Sequence, residues 1–149
     1  MKKTSAADEA ARVFDEGYNC AQAVFSVFAP RYGLDGETAA RTACAFGGGM
    51  ARGGDACGAV TGALMAIGLA LGGGRTSDGD EKAAAYDAAR EFMKRFRERN
   101  GAVACRELLG CEIGTPEGHE RAKRAGLFDD LCPKLVRGAV ETLEEMLSE

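Results

Sequence analysis

The uncharged run of residues 56–71 constrains the fold more than any other part of this sequence. It holds no charged side chain and is rich in glycine and alanine. A membrane-spanning helix needs roughly 20 predominantly apolar residues, and a cluster of glycines closes this run after Leu71. The run therefore predicts a central helix at about residues 56–72 that is buried inside a soluble protein rather than inside a membrane.

Small residues recur at every fourth position of this helix, at Gly58, Gly62, Ala66 and Ala70. At helical spacing they form one smooth stripe, and such a stripe lets another backbone approach closely. The approaching backbone can belong to a neighbouring helix of the same chain or to a second subunit. The sequence leaves both open, so a homodimer is one of the expected arrangements.

Helix signals dominate the rest of the chain, and strand signals are weak. Pro133 is expected to open a final amphipathic helix that runs to about residue 147. No linker or repeat divides the chain, which has the length of one domain. We therefore predict an all-α fold, a single-domain multi-helix bundle over residues 1–149 around the central helix. The candidate N-caps of its helices are Asn19, Asp35, Asp55, Thr115 and one of Ser77, Asp78 or Asp80.

Charge and cysteine usage limit the function classes. The net charge is -4 and there is no dense basic run, which argues against nucleic acid as a partner. Residues 1–12 contain lysines but no apolar stretch of the kind that a signal peptide has. Six cysteines without an export signal indicate a reducing, cytoplasmic location. In such a compartment cysteine clusters are more often catalytic or metal-binding than structural disulfides.

Most of the cysteines fall beside predicted helix starts. Cys20 follows the candidate cap Asn19, Cys57 follows Asp55 by two residues, and Cys105 opens a short helix after Gly101. The free N–H groups and the dipole of a helix N-terminus stabilise a thiolate there, the form that attacks disulfides and binds metals. Cys111 lies six residues after Cys105 and is close enough to share a site with it.

The other two cysteines differ from this group. Cys44 lies in mid-helix between alanines, and we expect it to pack in the core as a small apolar residue. Cys132 directly precedes Pro133, so it is expected at or just before a helix start. Its role is left undecided between function and packing.

Three separated motifs, in order, resemble the C-GCAxxG-C-C family of redox-active proteins. They are GYNCAQAV at residues 17–24, FGGGM at 46–50 and CGAVTGALM at 57–65, with Cys105 and Cys111 following. The chain reads Cys-Gly-Ala from Cys57, whereas the family name reads Gly-Cys-Ala, so the cysteine and the first glycine are exchanged. The resemblance implies redox activity and allows for a metal cluster, but it supplies no substrate. Covalent c-type haem is not supported, because the chain has no Cys-x-x-Cys-His motif.

A glycine-rich loop at residues 47–54 leads into the helix that carries Cys57. It lacks the Gly-Lys-Ser/Thr of a phosphate-binding loop. We expect Gly48 and Gly49 of this loop, together with Gly58 next to Cys57, to bring backbone N–H groups near the sulfurs and so to bind a cofactor or a thiolate. Arg52 can add positive charge that lowers a thiol pKa, or it can be a solvated surface residue. His119, the only histidine, lies among charged residues and is expected at the surface.

The leading hypothesis is a redox protein, and the sequence leaves open whether it is an enzyme of the oxidoreductase class. The candidate catalytic residues are Cys20, Cys57, Cys105 and Cys111. They would perform thiol–disulfide exchange or electron transfer with a partner protein or a small thiol or disulfide. The alternative is that the same four cysteines hold an iron–sulfur cluster or a zinc ion. A hypothesis of another class is a helical scaffold or interaction module with structural cysteines.

Overall fold

The computed structural model describes residues 5–75 and 79–148, and within them the fold is all-α, as predicted. The described β pairing is a single isolated bridge between Ala56 and Ala104. None of the described helices is long and apolar enough to cross a membrane. Two short 3₁₀ turns, Ala29–Tyr32 and Cys44–Phe46, follow α2 and α3. The helices are α1 (Ala6–Asp15), α2 (Cys20–Phe28), α3 (Gly36–Ala43), α4 (Gly58–Leu71), α5 (Gly79–Asn100), α6 (Cys105–Leu109), α7 (Pro116–Arg124) and α8 (Leu127–Leu147).

The uncharged run forms α4 at the centre of the bundle, which confirms the prediction with slightly narrower bounds. Helices α2, α5 and α8 pack around it. Large side chains from all four helices are fully buried together, each contributing about 1.5–3 kcal/mol of hydrophobic stabilisation. They include Val24, Phe28, Val60, Ile67, Phe92, Phe96, Val136, Val140 and Leu143. The last turn of α4 is less enclosed, because Leu69 and Leu71 are exposed.

The first half of the small-residue stripe contacts a helix of the same chain. A Cβ added at Gly62 would lie 2.7 Å from the carbonyl oxygen of Ala21, and one added at Gly58 would lie 2.8 Å from the Ala21 nitrogen. Only glycine at these two positions lets the backbones of α2 and α4 come so close. This contact places the N-terminal ends of the two helices side by side.

Several of the predicted caps are confirmed. The Asn19 side-chain oxygen accepts from the backbone N–H of Gln22 at 2.9 Å, and the Gln22 side chain accepts from the Asn19 N–H at 3.0 Å. Asp35 caps α3, and Thr115 caps α7 with Pro116 in its first turn. Asp80 lies in the first turn of α5, whereas the alternative caps Ser77 and Asp78 lie outside the described residues.

Two boundaries were predicted wrongly. The final helix begins at Leu127 and passes through Pro133. A proline inside a helix costs about 3 kcal/mol, and the burial of Leu135, Val136 and Val140 beyond it outweighs that cost. Asp55 does not cap α4; the residue at the N-cap position is Cys57 itself.

Candidate redox site

Cys20 and Cys57 meet where the first turns of α2 and α4 lie side by side. Cys20 is the first residue of α2, and Cys57 is the N-cap residue of α4. A Cβ added at Gly58 would lie 3.0 Å from the Cβ of Cys20, so any larger residue there would push the two helix ends apart. The glycine next to Cys57 therefore sets the spacing between the two cysteines.

Cys132 reaches the same point from α8. It lies in the second turn of that helix, and the side chain of Cys20 makes hydrogen-bonding contacts with the side chains of both Cys132 and Cys57. Cys132 and Cys57 are 6% and 3% exposed, whereas Cys20 is half-buried. Cys20 is thus the middle member of a group of three thiols and the most exposed of them.

A short backbone pairing brings Cys105 beside this group. The N–H of Cys57 donates to the carbonyl of Val103 at 2.9 Å, and the N–H of Cys105 donates to the carbonyl of Asp55 at 2.6 Å. These bonds flank the isolated bridge between residues 56 and 104. Cys105 is 7% exposed and begins α6, so the pairing fixes the start of α6 against the start of α4.

Arg106 holds this pairing from the outside. Its guanidinium donates to the carbonyls of Gly54 and Gly53, at 3.1 and 3.2 Å, and to the carboxylate of Asp55 at 3.0 Å. These are charge-assisted contacts to the segment that leads into Cys57. Arg106 is therefore a positioning residue for Cys57 and Cys105.

The neighbouring thiols shift one another's pKa in opposite directions. The hydrogen bond from the Cys20 thiol lowers the pKa of Cys57 against the opposing effect of burial, and the N–H groups of Ala59 and Val60 lower it further. The Cys57 side chain makes no capping hydrogen bond to them, so they act through the positive electrostatic potential of the helix N-terminus.

Cys20 and Cys105 are held in the protonated form. Contacts with Cys132 and Cys57, together with burial, raise the pKa of Cys20 well above its ordinary value. Burial, assisted by repulsion from Cys57 and Cys132, raises the pKa of Cys105 to about 12. Cys57 is therefore the member that carries negative charge when the group loses its first proton.

The Cys105 shift predicts how stability depends on alkaline pH. A thiol that binds its proton more tightly in the folded state stabilises the fold below its unfolded pKa of 9.0 and loses that contribution as pH rises through about 12. The free energy of unfolding is therefore expected to fall between about pH 9 and about pH 12, measured by urea unfolding.

Cys105→Ala is the matched control for this prediction. It removes the titrating thiol, so the alkaline decrease in stability should become smaller. Cys20 acts in the same direction as Cys105, and Cys57, with its lowered pKa, acts in the opposite direction. An unchanged pH dependence in Cys105→Ala would contradict the raised pKa of Cys105.

The glycine-rich loop forms a left-handed turn beside the cysteines. Residues 48–52 all have positive φ, and three of them, Met50, Ala51 and Arg52, are not glycine. Left-handed backbone costs an L-residue roughly 1–2 kcal/mol. The N–H groups of residues 50–55 donate to carbonyls of residues 45–50, and these bonds hold the turn in place.

Two glycines of the loop pack closely against its neighbours, and one of them, Gly49, is among the predicted candidates. A Cβ added at Gly49 would lie 2.8 Å from the Cβ of Cys105, and one added at Gly47 would lie 2.5 Å from the side chain of Asn19. Since the N–H groups of residues 50–55 are used within the loop, any N–H donors for a bound group would be those of Gly48 and Gly49. Their cofactor-binding role, like that of Arg52 and Gly58, stays a prediction.

The remaining cysteines lie further out. Cys111 is half-buried and packs beside Cys105 in a small apolar cluster with Cys132. Cys44 is exposed, so the prediction that it packs in the core is wrong. It begins a 3₁₀ turn at the end of α3, which carries it off the buried face, and its carbonyl accepts from the Asn19 side chain at 2.9 Å.

Sequence reasoning missed part of this arrangement. It left Cys132 undecided, because Pro133 suggested a helix start rather than a buried second turn. It did not single out Arg106, since one arginine at the start of a short helix carries no distinguishing signal. It placed His119 at the surface, whereas the side chain is half-buried and its ring lies 5.1 Å from that of Phe128.

Thiolates are the ligands that iron–sulfur clusters and structural zinc ions use, so the donor type suits a metal. The arrangement of the side chains does not suit a metal, because over residues 5–75 and 79–148 no three His, Cys, Asp or Glu side chains are placed so that they could hold a metal ion. The predicted metal site at Cys20, Cys57, Cys105 and Cys111 therefore stays a prediction.

Comparison with known proteins gives one family. The family model described as "Putative redox-active protein (C_GCAxxG_C_C)" matches residues 18–146. The match spans all of the cysteines. No curated protein and no solved structure is significantly similar to the chain.

Proposed function

We propose a function in dithiol–disulfide exchange from one premise: the chain belongs to the C_GCAxxG_C_C family, described as redox-active. In this proposal Cys20 and Cys57 are the two thiols that are oxidised to a disulfide and reduced again. The protein then transfers two electrons between partner disulfides or thiols, as a cytoplasmic oxidoreductase or an electron carrier. Cys132 and Cys105 shape the environment of the pair.

The observation that carries the proposal is the contact between Cys20 and Cys57 with their opposite pKa shifts. The contact with Cys20 lowers the pKa of Cys57 while it raises the pKa of Cys20, so in this proposal Cys57 is the thiolate and Cys20 the thiol once the pair has lost one proton. Interacting groups of this kind lose their protons in two steps, and the pKa of each step belongs to the pair rather than to either thiol. A thiol and a thiolate in contact supply both an attacking sulfur and a base that accepts its proton.

The exposure of the two residues sets the order of steps. Cys20 is half-buried, whereas Cys57 is 3% exposed, so an incoming disulfide meets Cys20 first. The Cys20 proton first moves to the Cys57 thiolate. The Cys20 thiolate formed in this way bonds to one partner sulfur as the partner S–S bond breaks, and the second partner sulfur leaves as a thiolate. The departing thiolate takes up a proton from solvent.

The second step closes the disulfide. Cys57 gives up its proton and attacks the Cys20 sulfur, and the first partner sulfur leaves and is protonated. The partner disulfide has been reduced to two thiols, and Cys20 and Cys57 have been oxidised to one disulfide. Supplied with a reducing thiol, the same steps run in reverse.

Two thiols per chain are therefore expected to disappear when the reduced protein meets a small neutral disulfide such as hydroxyethyl disulfide. The chain has six cysteines, and the count of free thiols after denaturation should fall by about two without crosslinking between chains. Cys44→Ser is the control, because Cys44 is exposed and outside the pair. That variant should still lose about two thiols. A scaffold with incidental cysteines would show no such stoichiometry, and an absent loss would overturn the proposal.

A further inference from the structure

Cys20 lies at the junction of two apolar clusters of the fold. One cluster is the main core, which contains Cys57, and the other is the smaller cluster that contains Cys132. Cys20 packs against both clusters, and its side chain makes hydrogen-bonding contacts with both Cys132 and Cys57. The central sulfur of the group therefore has two thiol neighbours, of which the proposed exchange reaction uses only Cys57.

The two neighbours of Cys20 are enclosed to a similar degree. Cys57 and Cys132 are both buried, whereas Cys20 is half-buried. A partner disulfide that reaches Cys20 therefore meets neither neighbour directly, and each neighbour can exchange only with a sulfur that is already bound to Cys20. By burial and by contact, Cys132 has the same access to the Cys20 sulfur as Cys57 has.

Cys132 lies in a turn of α8 that has fewer backbone restraints than the rest of the helix. It directly precedes Pro133, which lies inside the helix. Because proline has no N–H, the carbonyl of Asp129 lacks the donor that the next turn of a helix normally supplies. A disulfide brings two sulfurs closer than a hydrogen bond does, and the turn that carries Cys132 can move to allow this approach.

We propose that Cys132 is a third catalytic cysteine, which resolves the mixed disulfide on Cys20 by a second route beside that of Cys57. Cys132 gives up its proton to solvent, and its thiolate bonds to the Cys20 sulfur as the bond between Cys20 and the partner sulfur breaks. The partner sulfur leaves as a thiolate and takes up a proton from solvent, so two protein thiols are oxidised and the partner disulfide is reduced. The inference rests on the proposed dithiol function and adds a residue to its mechanism.

The test uses Cys57→Ser, in which the Cys57 route is absent. The reduced variant is incubated with excess hydroxyethyl disulfide, about 100 times longer than the unmodified protein needs because its Cys20 reacts more slowly. Samples are alkylated, digested and mapped by mass spectrometry. We expect the mercaptoethanol adduct on Cys20 to be replaced by a disulfide between Cys20 and Cys132.

Two further variants identify the resolving sulfur. In Cys57→Ser/Cys132→Ala the adduct on Cys20 should persist at least about tenfold longer, because no neighbouring thiol contacts Cys20. Alanine is the best helix former, so α8 should be retained. Cys57→Ser/Cys44→Ser is the matched control, since Cys44 is exposed and outside the group, and it should still form the disulfide between Cys20 and Cys132.

The outcomes separate this inference from the function on which it rests. If Cys132 serves only as a small apolar residue in packing, no disulfide between Cys20 and Cys132 forms in Cys57→Ser, and the adduct persists there as it does in Cys57→Ser/Cys132→Ala. That result would overturn the role of Cys132 and leave the dithiol function intact. The unmodified protein is treated in parallel, and if it loses no thiols, the dithiol function itself fails. If no adduct ever forms on Cys20 in Cys57→Ser, Cys20 is not the attacking sulfur, and both proposals are wrong.

Discussion

Cys57→Ser is expected to slow oxidation of the protein by small disulfides at least about 100-fold at neutral pH. The substitution removes the sulfur that carries the negative charge and leaves Cys20 without a base, while the contact with Cys132 and burial still raise the pKa of Cys20. Each unit of raised pKa lowers the thiolate fraction about tenfold. The rate is measured as loss of free thiols in a stopped-flow assay.

The same variant should lose the thiolate absorbance that appears at the lowest pH in the unmodified protein. Serine is close in size to cysteine, and position 57 lies at a helix N-cap, where serine is a favoured residue. The variant should therefore fold. Cys44→Ser is the matched control and should keep both the rate and the absorbance. An unchanged rate in Cys57→Ser would remove Cys57 from the mechanism.

Gly62→Ala is expected to lower the free energy of unfolding by about 3 kcal/mol. The added Cβ would lie 2.7 Å from the carbonyl oxygen of Ala21 and 3.1 Å from its Cα, and both are backbone atoms that cannot rotate away. Helices α2 and α4 must then separate. The measurement is urea unfolding, with the slope m as a check that the two-state description holds.

Gly68→Ala is the matched control on the same helix. A Cβ there would meet nothing within 4 Å, and alanine stabilises a helix interior by about 0.5–1 kcal/mol relative to glycine. The two alanine substitutions should therefore shift stability in opposite directions. Gly62→Ala should also move the pKa of Cys57 back toward its ordinary value, because separation of α2 from α4 weakens the hydrogen bond from Cys20. Equal effects at both glycines would contradict the close packing of the two helices.

The elements with strong local signals could be read from the sequence. Asn19 and Thr115 are residue types that cap helices, and the residues that follow each of them favour a helix start. The run that forms α4 contains no charged side chain that would need to reach solvent. These signals depend on residues that are close in the chain, which is why the predictions made from them are confirmed. The position of Cys20 and Cys105 at helix starts follows from the same kind of signal.

The sequence allowed a hypothesis that thiols share a site, but it could not show that they meet or which of them do, because that depends on contacts between distant residues. The Cys57–Cys105 neighbourhood comes from the backbone pairing at residues 56 and 104, for which neither segment has a strand pattern. Cys132 was misplaced because the local preference of Pro133 for a helix start was overridden by burial of α8. The left-handed conformation of Met50, Ala51 and Arg52 also has no signal in those residue types.

Cys44 shows the limit of reasoning from neighbours. Flanking alanines suggested a buried helix face, but α3 ends at Ala43 and tightens into a 3₁₀ turn. The change in the number of residues per turn rotates the next side chains. The result is an exposed thiol rather than a buried one.

The most direct test of the account is to map disulfides on protein that was reduced, equilibrated at a series of defined potentials, alkylated and digested for mass spectrometry. The account predicts that one disulfide forms first within the chain, and that it links Cys20 to Cys57 while Cys44 and Cys105 stay alkylated as free thiols. A first disulfide between other cysteines, such as Cys105 and Cys111, would contradict it. So would six thiols that remain free at every potential.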